Sequence, residues 1–236
     1  MIIDFHIHSR FSADSLSRPR NILRTAKRKG LSGVAITDHD TIAGAREALR
    51  LNDDPEFMVI VGCEVHTEAG DIIGLFLEHE LHARTSRELI EEIHAQGGLT
   101  VLPHPYKWHK LHDRLLEQID MIEIFNGRTD VRANQRAYEL AQRLGKPMIV
   151  GSDAHFLCEI GNCTVAFPHS DIRQALLNQQ GQFRTSHSRP HLALASVSAI
   201  IKTVRLGEYA RLPRRIAALA WHSTPLGRRD RSRRSE

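Results

Sequence analysis

Short apolar segments alternate along the chain with segments in which apolar residues recur at helical spacing. The apolar segments, each suited to one strand, are 2–7, 33–37, 58–67, 71–77, 99–104, 121–126, 147–152 and 164–167. The helical patterns between or after them are 18–30, 86–98, 130–145 and 170–181, and each ends at glycine, which commonly terminates helices. Continuous apolar strands that alternate with helices predict a mainly parallel α/β sheet, either a barrel or a doubly wound sheet.

The pattern changes near residue 190 of the 236 residues. We predict an α/β domain over 1–190, followed by a helical extension over 191–226 that breaks near Pro213 and either packs outside the core or is partly detached. The last ten residues, 227–236, are rich in arginine and read as a solvated, disordered tail.

Charge is distributed unevenly between these parts. Residues 184–236 contain 12 of the 32 Lys and Arg residues but only 3 of the 28 Asp and Glu residues, so the preceding part is acidic. A basic terminal segment also fits an electrostatic contact with an anionic polymer such as nucleic acid. The sequence therefore leaves two interpretations of the tail, a solvated terminus and a nucleic-acid contact.

Several features favour a cytoplasmic protein with no membrane partner. Hydrophobic residues make up 41% of the chain, yet none of the apolar runs approaches the roughly 18 residues of a membrane span. The N-terminus lacks the basic and apolar regions of a signal peptide. The three cysteines have no paired spacing, which indicates reduced thiols. The sequence gives no indication of the oligomeric state.

Metal-binding residue types follow one predicted strand after another. Residues two apart in a strand face the same side, so His6 and His8 point together at the end of the first segment. The other strand-end residues are Asp38, His39 and Asp40, then Glu64, His104 and Asn126, and finally Asp153 and His155. A single such histidine is more often structural, but the carboxyl ends of parallel strands converge. Imidazole and carboxylate without thiolate suit Zn, Mn or Fe, so we predict a multinuclear site for these metals.

The motifs HIHSRFSADS, ITDHDT, GCEV, PHP, IEIFNGR and GSDAHFLCEIG occur in this order. In sequence and spacing they resemble the successive motifs of the PHP (polymerase and histidinol phosphatase) family, over roughly residues 1–190 but not the tail. The resemblance implies a distorted TIM-like (β/α)7 barrel with its site at the carboxyl ends of the strands. It also implies a metal-dependent phosphoesterase that uses two to three divalent ions and a metal-bridged hydroxide.

The resemblance also assigns roles to individual residues. It places His6, His8, Glu64 and Asp153 on a first metal. Glu64 then bridges to a second metal with His104, where Asn126 occupies a position that is His or Cys in many family members. Asp14, His39 and His155 are placed on a third metal. Glu64, Asp153 and Asp40 are expected to take part in catalysis, and Asp40, like Asp4, does so by orienting a histidine. Asp38 reads as a strand-end or turn residue.

Three cationic residues are candidates for binding the substrate phosphate, namely Arg10, Lys107 and Arg128. We rank Arg128 first because it follows a strand-end motif and because a guanidinium binds phosphate oxygens bidentately. For each of the three, a solvated surface charge is the competing interpretation. His66 is expected to lie near Glu64, and His109 and His112 are weaker candidates for the mouth of the site.

The substrate class is the least determined point. Only 48 residues separate His104 from Asp153, so a lid domain over the mouth is absent or minimal. Because the chain lacks polymerase modules, we expect a free-standing phosphatase that acts on a small phosphorylated metabolite or a nucleotide. The alternative is a nucleic-acid-associated protein that binds or trims a polymer through its basic C-terminal tail.

Overall fold

The computed structural model describes residues 1–168, 171–186 and 191–223, without the side chains of residues 191 and 192. Its strands are β1 (Ile2–Ile7), β2 (Gly33–Ile36), β3 (Met58–Thr67), β4 (Gly70–Leu75), β5 (Leu99–Leu102), β6 (Met121–Asn126), β7 (Met148–Gly151), β8 (Cys163–Ala166) and β9 (Gln182–Thr185). Its helices are α1 (Pro19–Arg28), α2 (Ala43–Leu51), α3 (Ser86–Ala95), α4 (Asp113–Gln118), α5 (Val131–Leu144), α6 (Ile172–Leu177), α7 (His191–Arg205) and α8 (Leu212–Ser223), with a 3₁₀ turn at Tyr209–Arg211.

The strands form one sheet in the order β7-β6-β5-β4-β3-β2-β1-β8-β9. This sheet curves into a nearly closed barrel, because the end of β1 also contacts the segment after β7. His8 N–H donates to the Ala154 carbonyl at 2.8 Å, and Ala154 N–H donates to the His6 carbonyl at 3.1 Å. The predicted TIM-like α/β fold is confirmed, with β8 and β9 added beside the first half of β1.

Not every strand is parallel. The groups β1-β2-β3 and β5-β6-β7 are parallel, but β4 runs antiparallel to both of its neighbours. Only Glu68 and Ala69 separate β3 from β4. A connection this short can join antiparallel strands, whereas a parallel pair needs a long crossover. The amino end of β4 therefore lies at the same end of the barrel as the carboxyl ends of its neighbours.

The core lies inside the barrel and between the sheet and its helices. Ile3, Ile73, Leu102 and Ile122 are among the buried side chains of the larger apolar cluster. A second cluster joins β1 and β2 to α1 and α2. All four residues of β2 are buried, in agreement with the continuous apolar strands that the sequence shows.

The described part of the C-terminal extension forms α7 and α8. The break between α7 and α8 falls at residues 206–211, where Gly207 adopts a left-handed φ of 70°, and Pro213 lies in the first turn of α8. In addition, α7 contacts the loop that follows β1, as described below. The predicted tail at 227–236 lies outside the described residues, so its contact with nucleic acid stays a prediction.

No helix in the described part of the chain is both long enough and apolar enough to cross a membrane. The cysteines are free thiols, with Cys63 and Cys163 buried and Cys158 exposed.

Candidate metal centre

Residues from five barrel segments meet at the carboxyl ends of the strands. His6 and Glu64 lie within β1 and β3, whereas the other members lie in the loops that follow their strands. All are buried except His39, which is half-buried. The residues that the structure brings together here are His6, His8, Asp14, His39, Glu64, His104, Asp153 and His155.

The carboxylate of Glu64 lies at the middle of this cluster. Its Oε1 is 3.2 Å from His104 Nε2. Its Oε2 is 3.5 Å from His6 Nε2, 3.3 Å from His8 Nε2 and 3.3 Å from His39 Nδ1. The two oxygens therefore face different histidines, and one carboxylate in this position can bridge two cations.

Asp153 lies beside the same histidines. Its Oδ1 is 3.7 Å from His6 Nε2, 3.4 Å from His8 Nε2 and 3.4 Å from His155 Nδ1. The backbone at Asp153 and at His104 is left-handed, with φ of 53° and 31°. Residues other than glycine adopt this region at an energetic cost, and such conformations cluster at functional sites.

A further group forms around Asp14. Its Oδ2 is 3.3 Å from His39 Nε2 and its Oδ1 is 3.3 Å from His155 Nε2. One ligand atom from each of His8, Asp14, His39 and His155 can be chosen so that all lie within 4.8 Å of one another. The residues that the resemblance places on a third metal are therefore adjacent in the structure.

Buried acceptors orient the first two histidines. Glu123 Oε1 lies 2.9 Å from His6 Nδ1, and Ser12 Oγ lies 3.0 Å from His8 Nδ1. Ser12 donates its own hydroxyl proton to Asp38 Oδ1 at 2.9 Å, so it accepts from the imidazole. Each ring is thereby fixed with an N–H at Nδ1 and with Nε2 toward Glu64, which is the nitrogen that would bind a metal.

Sequence reasoning missed Ser12 and Glu123 and assigned Asp38 only to a turn. Asp38 in fact accepts four hydrogen bonds from Ser9 and Ser12 and thereby shapes the loop after β1. The available signal for Glu123 was an acidic residue inside the apolar strand MIEIFN.

The geometry of this cluster fits divalent cations. Two ligands that share one tetrahedral ion at a bond length of about 2.1 Å are about 3.4 Å apart, close to the separations found here. Within this cluster, two buried atoms of the described residues, Asp14 Oδ1 and His104 Nδ1, make no hydrogen bond, although His155 Nε2 lies 3.3 Å from Asp14 Oδ1. Buried polar atoms are rarely left in this state, so an absent ligand is the simplest explanation for Asp14.

The electrostatics hold several ligands in the form that binds metal. Burial opposes ionisation of Glu64 and Asp153, but the neighbouring histidines, His6 foremost, outweigh it and hold both carboxyl pKa values well below their usual range. Burial lowers the pKa of His8 to about 3, so this imidazole is neutral. For His39, Glu64 and Asp14 outweigh burial and raise the pKa to about 9. For His6, the carboxylates of Glu123, Asp153 and Glu64 likewise outweigh burial and raise the pKa well above its usual range. A cation must therefore displace a proton from His6 and from His39, and metal binding should release protons.

Asp71 is a candidate ligand that the sequence reasoning missed. One atom from each of Glu64, Asp71 and His104 can be chosen within 4.8 Å of the others. Asp71 lies near the amino end of β4, which a fully parallel sheet would place away from the site. Because β4 is antiparallel, this carboxylate instead reaches the centre.

Asn126 is placed differently from its predicted role as a ligand. Its Nδ2 donates to Glu123 Oε2 at 2.9 Å, while its Oδ1 accepts from Arg128 N–H at 2.9 Å and from Thr129 Oγ1 at 3.1 Å. Both ends of the amide are thus used within the protein. Asn126 thus holds Glu123 in place by a hydrogen bond, and Glu123 in turn orients His6.

Arg128 also departs from its predicted place as a phosphate ligand at the mouth. It is only 8% exposed. Its Nη2 donates to Ser198 Oγ at 3.0 Å, and its Nε lies 3.4 Å from Glu159 Oε1. The other oxygen of Glu159 accepts from the N–H groups of His155 and Phe156 at 3.0 Å each. This ion pair therefore supports the loop that carries His155.

The remaining charged candidates separate into two kinds. Lys107 reaches the centre, with Nζ 3.7 Å from Asp153 Oδ2. Arg10 instead pairs with Glu47 at 3.1 Å, and the Asp40 side chain is 55% exposed and lies 3.9 Å from Arg84. These partners lie outside the ligand cluster, so neither the predicted substrate contact of Arg10 nor the catalytic role of Asp40 has support in the geometry.

Other residues singled out in the sequence lie outside the ligand groups. Asp4 accepts from the backbone N–H groups of His6, Ser152 and Gly161, so it positions the chain rather than an imidazole. His66 is exposed and pairs with Asp71 at 2.7 Å. His112 caps α4.

His109 lies next to the centre. Its ring centroid is 5.6 Å from that of His104, while its two nitrogens contact the carbonyls of Lys107 and Asp71. This geometry places His109 against the His104 imidazole without making it a member of the ligand groups.

Comparison with known proteins agrees with this geometry. The family described as "PHP domain" matches residues 4–144, and one described as "PHP-associated" matches residues 131–180. An uncharacterized protein of Methanocaldococcus jannaschii is 42% identical over 140 residues, covering 53% of this chain and 82% of that protein. A second uncharacterized protein of the same organism is 33% identical over 186 residues, covering 74% and 73%.

A solved structure shows the same fold. It is a two-domain protein from Bacteroides vulgatus that contains a predicted PHP-like metal-dependent phosphoesterase. The TM-score is 0.67 at 22% identity, and the match covers 78% of this chain and 64% of that protein. At this level of identity the likeness concerns the fold.

Proposed function

This chain belongs to the PHP domain family, and from that premise we propose that it is a metal-dependent phosphoesterase. We propose as substrate a small phosphorylated metabolite or a nucleotide. The chemistry of the centre itself supports this function.

The position of Glu64 is the observation that carries the proposal. Its two carboxylate oxygens face separate imidazoles, with Oε1 near His104 and Oε2 near His6 and His8. Hydrolysis of a phosphoester benefits from closely spaced cations, and a carboxylate that faces two sets of ligands is suited to hold such a pair.

The ligand groups contain enough residues to bind two to three cations. His6, His8, Glu64 and Asp153 would hold the first, and Glu64 and His104 the second, with Asp71 in reach of it. His39, His155 and Asp14 would hold the third. Divalent ions bound in this way supply positive charge for the phosphate and lower the pKa of water.

The protein contributes orientation and charge. Glu123 and Ser12 fix the rings of His6 and His8, so Nε2 of each ring is directed toward Glu64 before any cation enters. Lys107 places an ammonium next to Asp153, where it can bind a phosphate oxygen. Burial of the carboxylates excludes water from the ligand side and strengthens each charge interaction.

The test uses the full chain reconstituted separately with Mn, Fe and Zn. Each form is assayed against phosphorylated metabolites, mononucleotides, nucleoside bisphosphates and short oligonucleotides. We expect metal-dependent release of phosphate, and Glu64→Gln should lower kcat/KM by more than about 100-fold because it loses a charge and a coordinating oxygen. Elemental analysis should show more than one metal equivalent in the wild-type protein.

A matched control is Glu139→Gln, which makes the same change on the exposed face of α5 and should leave activity intact. Inactivity of every metal form on every phosphoester class would overturn the proposal. So would near-normal turnover in Glu64→Gln.

A further inference from the structure

One face of α7 lies against the candidate metal centre. Ser198, Lys202 and Arg205 are spaced by four and three residues, so they share a face of the helix. Arg205 donates to the carbonyls of Arg10, Ser12 and Ser15, all in the loop that carries Asp14. Ser198 accepts from Arg128 at the other end of this face. These contacts at both ends hold Lys202 over the centre.

Lys202 lies beside a metal-ligand candidate without being fully engaged. Its Nζ is 3.7 Å from Asp14 Oδ2, and 46% of its side chain is exposed. An ammonium carries three donors, so Asp14 leaves most of its capacity free for an incoming ligand. Lys107 is placed in a similar way, with Nζ 3.7 Å from Asp153 Oδ2 and 38% of the side chain exposed.

These two ammonium groups would add positive charge to a centre whose carboxylates two or three divalent ions would already neutralise. The carboxylates at the ligand positions are those of Asp14, Glu64, Asp71 and Asp153. With two or three divalent ions present, Lys107 and Lys202 would meet cations at short range unless an anion came between them. Lysines whose ammonium groups point at such a centre are therefore suited to bind an anionic ligand there.

We propose that Lys202 is a substrate-binding residue which, with Lys107, binds the dianionic phosphate of a phosphomonoester and makes the site prefer monoesters over diesters. This inference rests on the proposed phosphoesterase function. A monoester phosphate presents three terminal oxygens and about two negative charges near neutral pH. A diester presents two such oxygens and one charge, so it has less for a second ammonium to bind.

Lys202 lies C-terminal to residue 180, where the family match ends. The preference is therefore inferred for this chain from its own α7 and not for its relatives.

The kinetic test compares para-nitrophenyl phosphate with bis(para-nitrophenyl) phosphate, using the Mn-loaded full chain. Lys202→Met keeps the aliphatic stem but removes the charge, and Lys202→Arg keeps the charge. We expect Lys202→Met to lower kcat/KM about tenfold for the monoester and less than about threefold for the diester. Lys202→Arg should recover most of the loss. Arg214→Met, which removes an exposed positive charge from α8, should match wild type on both esters.

A binding measurement separates this inference from the proposed function. Calorimetric titration of the Mn-loaded proteins with inorganic phosphate should show affinity about tenfold weaker in Lys202→Met than in wild type, with equal metal content by elemental analysis. If wild type hydrolyses neither ester, the proposed function fails for these probes, and the phosphate titration still decides the role of Lys202. Equal phosphate affinity, equal loss on both esters, or reduced metal content in Lys202→Met would overturn the inference.

Discussion

Glu123→Gln converts one oxygen of a buried carboxylate into an amide and tests how His6 is prepared as a metal ligand. Glu123 accepts three hydrogen bonds on two oxygens, from His6 Nδ1 on Oε1 and from His104 N–H and Asn126 Nδ2 on Oε2, each at 2.9 Å. A glutamine has one acceptor oxygen, so it cannot satisfy all three donors. The change is nearly isosteric, which isolates hydrogen bonding from packing.

The amide has two possible orientations, and their energies differ. With its NH₂ toward His104 and Asn126, two buried donors lose their acceptor, at about 1–3 kcal/mol each. With its NH₂ toward His6, only one donor is opposed, and the ring can relieve that clash by moving its proton to Nε2. The second orientation is favoured, and it places the single proton of a neutral His6 on Nε2, where metal binding requires a lone pair.

We therefore expect Glu123→Gln to lower metal affinity about 10- to 100-fold, equivalent to about 1.4–2.7 kcal/mol, in line with the loss of groups that orient histidine ligands. A titration against a chromophoric chelator measures this affinity, and circular dichroism establishes that the fold persists. Glu139→Gln is the control for the chemical change. Metal affinity within about threefold of wild type would refute the claim that Glu123 sets the tautomer of His6.

Two further predictions concern residues for which structure and sequence pattern disagree. Asp71→Asn should reduce the number of bound metal equivalents, because it removes a carboxylate near Glu64 and His104. Elemental analysis after dialysis measures this number, and unchanged metal stoichiometry and affinity would exclude Asp71 as a ligand. Arg128→Ala should lower the free energy of unfolding by about 3 kcal/mol, measured in urea, since it leaves the buried Glu159 without its partner. Wild-type stability together with a large loss of kcat/KM would instead restore Arg128 as a phosphate ligand.

Features that depend on local order along the chain could be predicted from the sequence. Apolar segments of strand length that alternate with helical patterns determine an α/β fold, because each element must bury its apolar face against another. Polar residues that directly follow such strands, such as His8, His39 and Asp153, lie at one end of a parallel arrangement whatever the details of the loops. This is why the structure brings these predicted residues together.

Features that depend on strand direction or on partners distant in the chain could not be predicted in this way. A parallel sheet would place Asp71 at the wrong end of the barrel, and only the short β3–β4 turn reverses that strand. Arg128 sits in a motif suggestive of ligands, yet Glu159 and Ser198, which lie far from that motif along the chain, engage its side chain. Asn126 is engaged within or next to the same motif, by Glu123 and Thr129, a pairing that the strand pattern alone does not reveal.

The sequence by itself therefore determined the fold class, the family and the residues at most strand ends. Each of these depends on a short stretch of chain, namely the apolar periodicity of one element, one motif, or the residues that directly follow one strand. Tertiary structure alone decided which polar side chains face the centre, which are used by buried partners, and that α7 brings Lys202 to Asp14. The physical reason is that a buried polar group must be satisfied by whichever group packing places next to it, and that neighbour can be 70 residues away, as Ser198 is from Arg128.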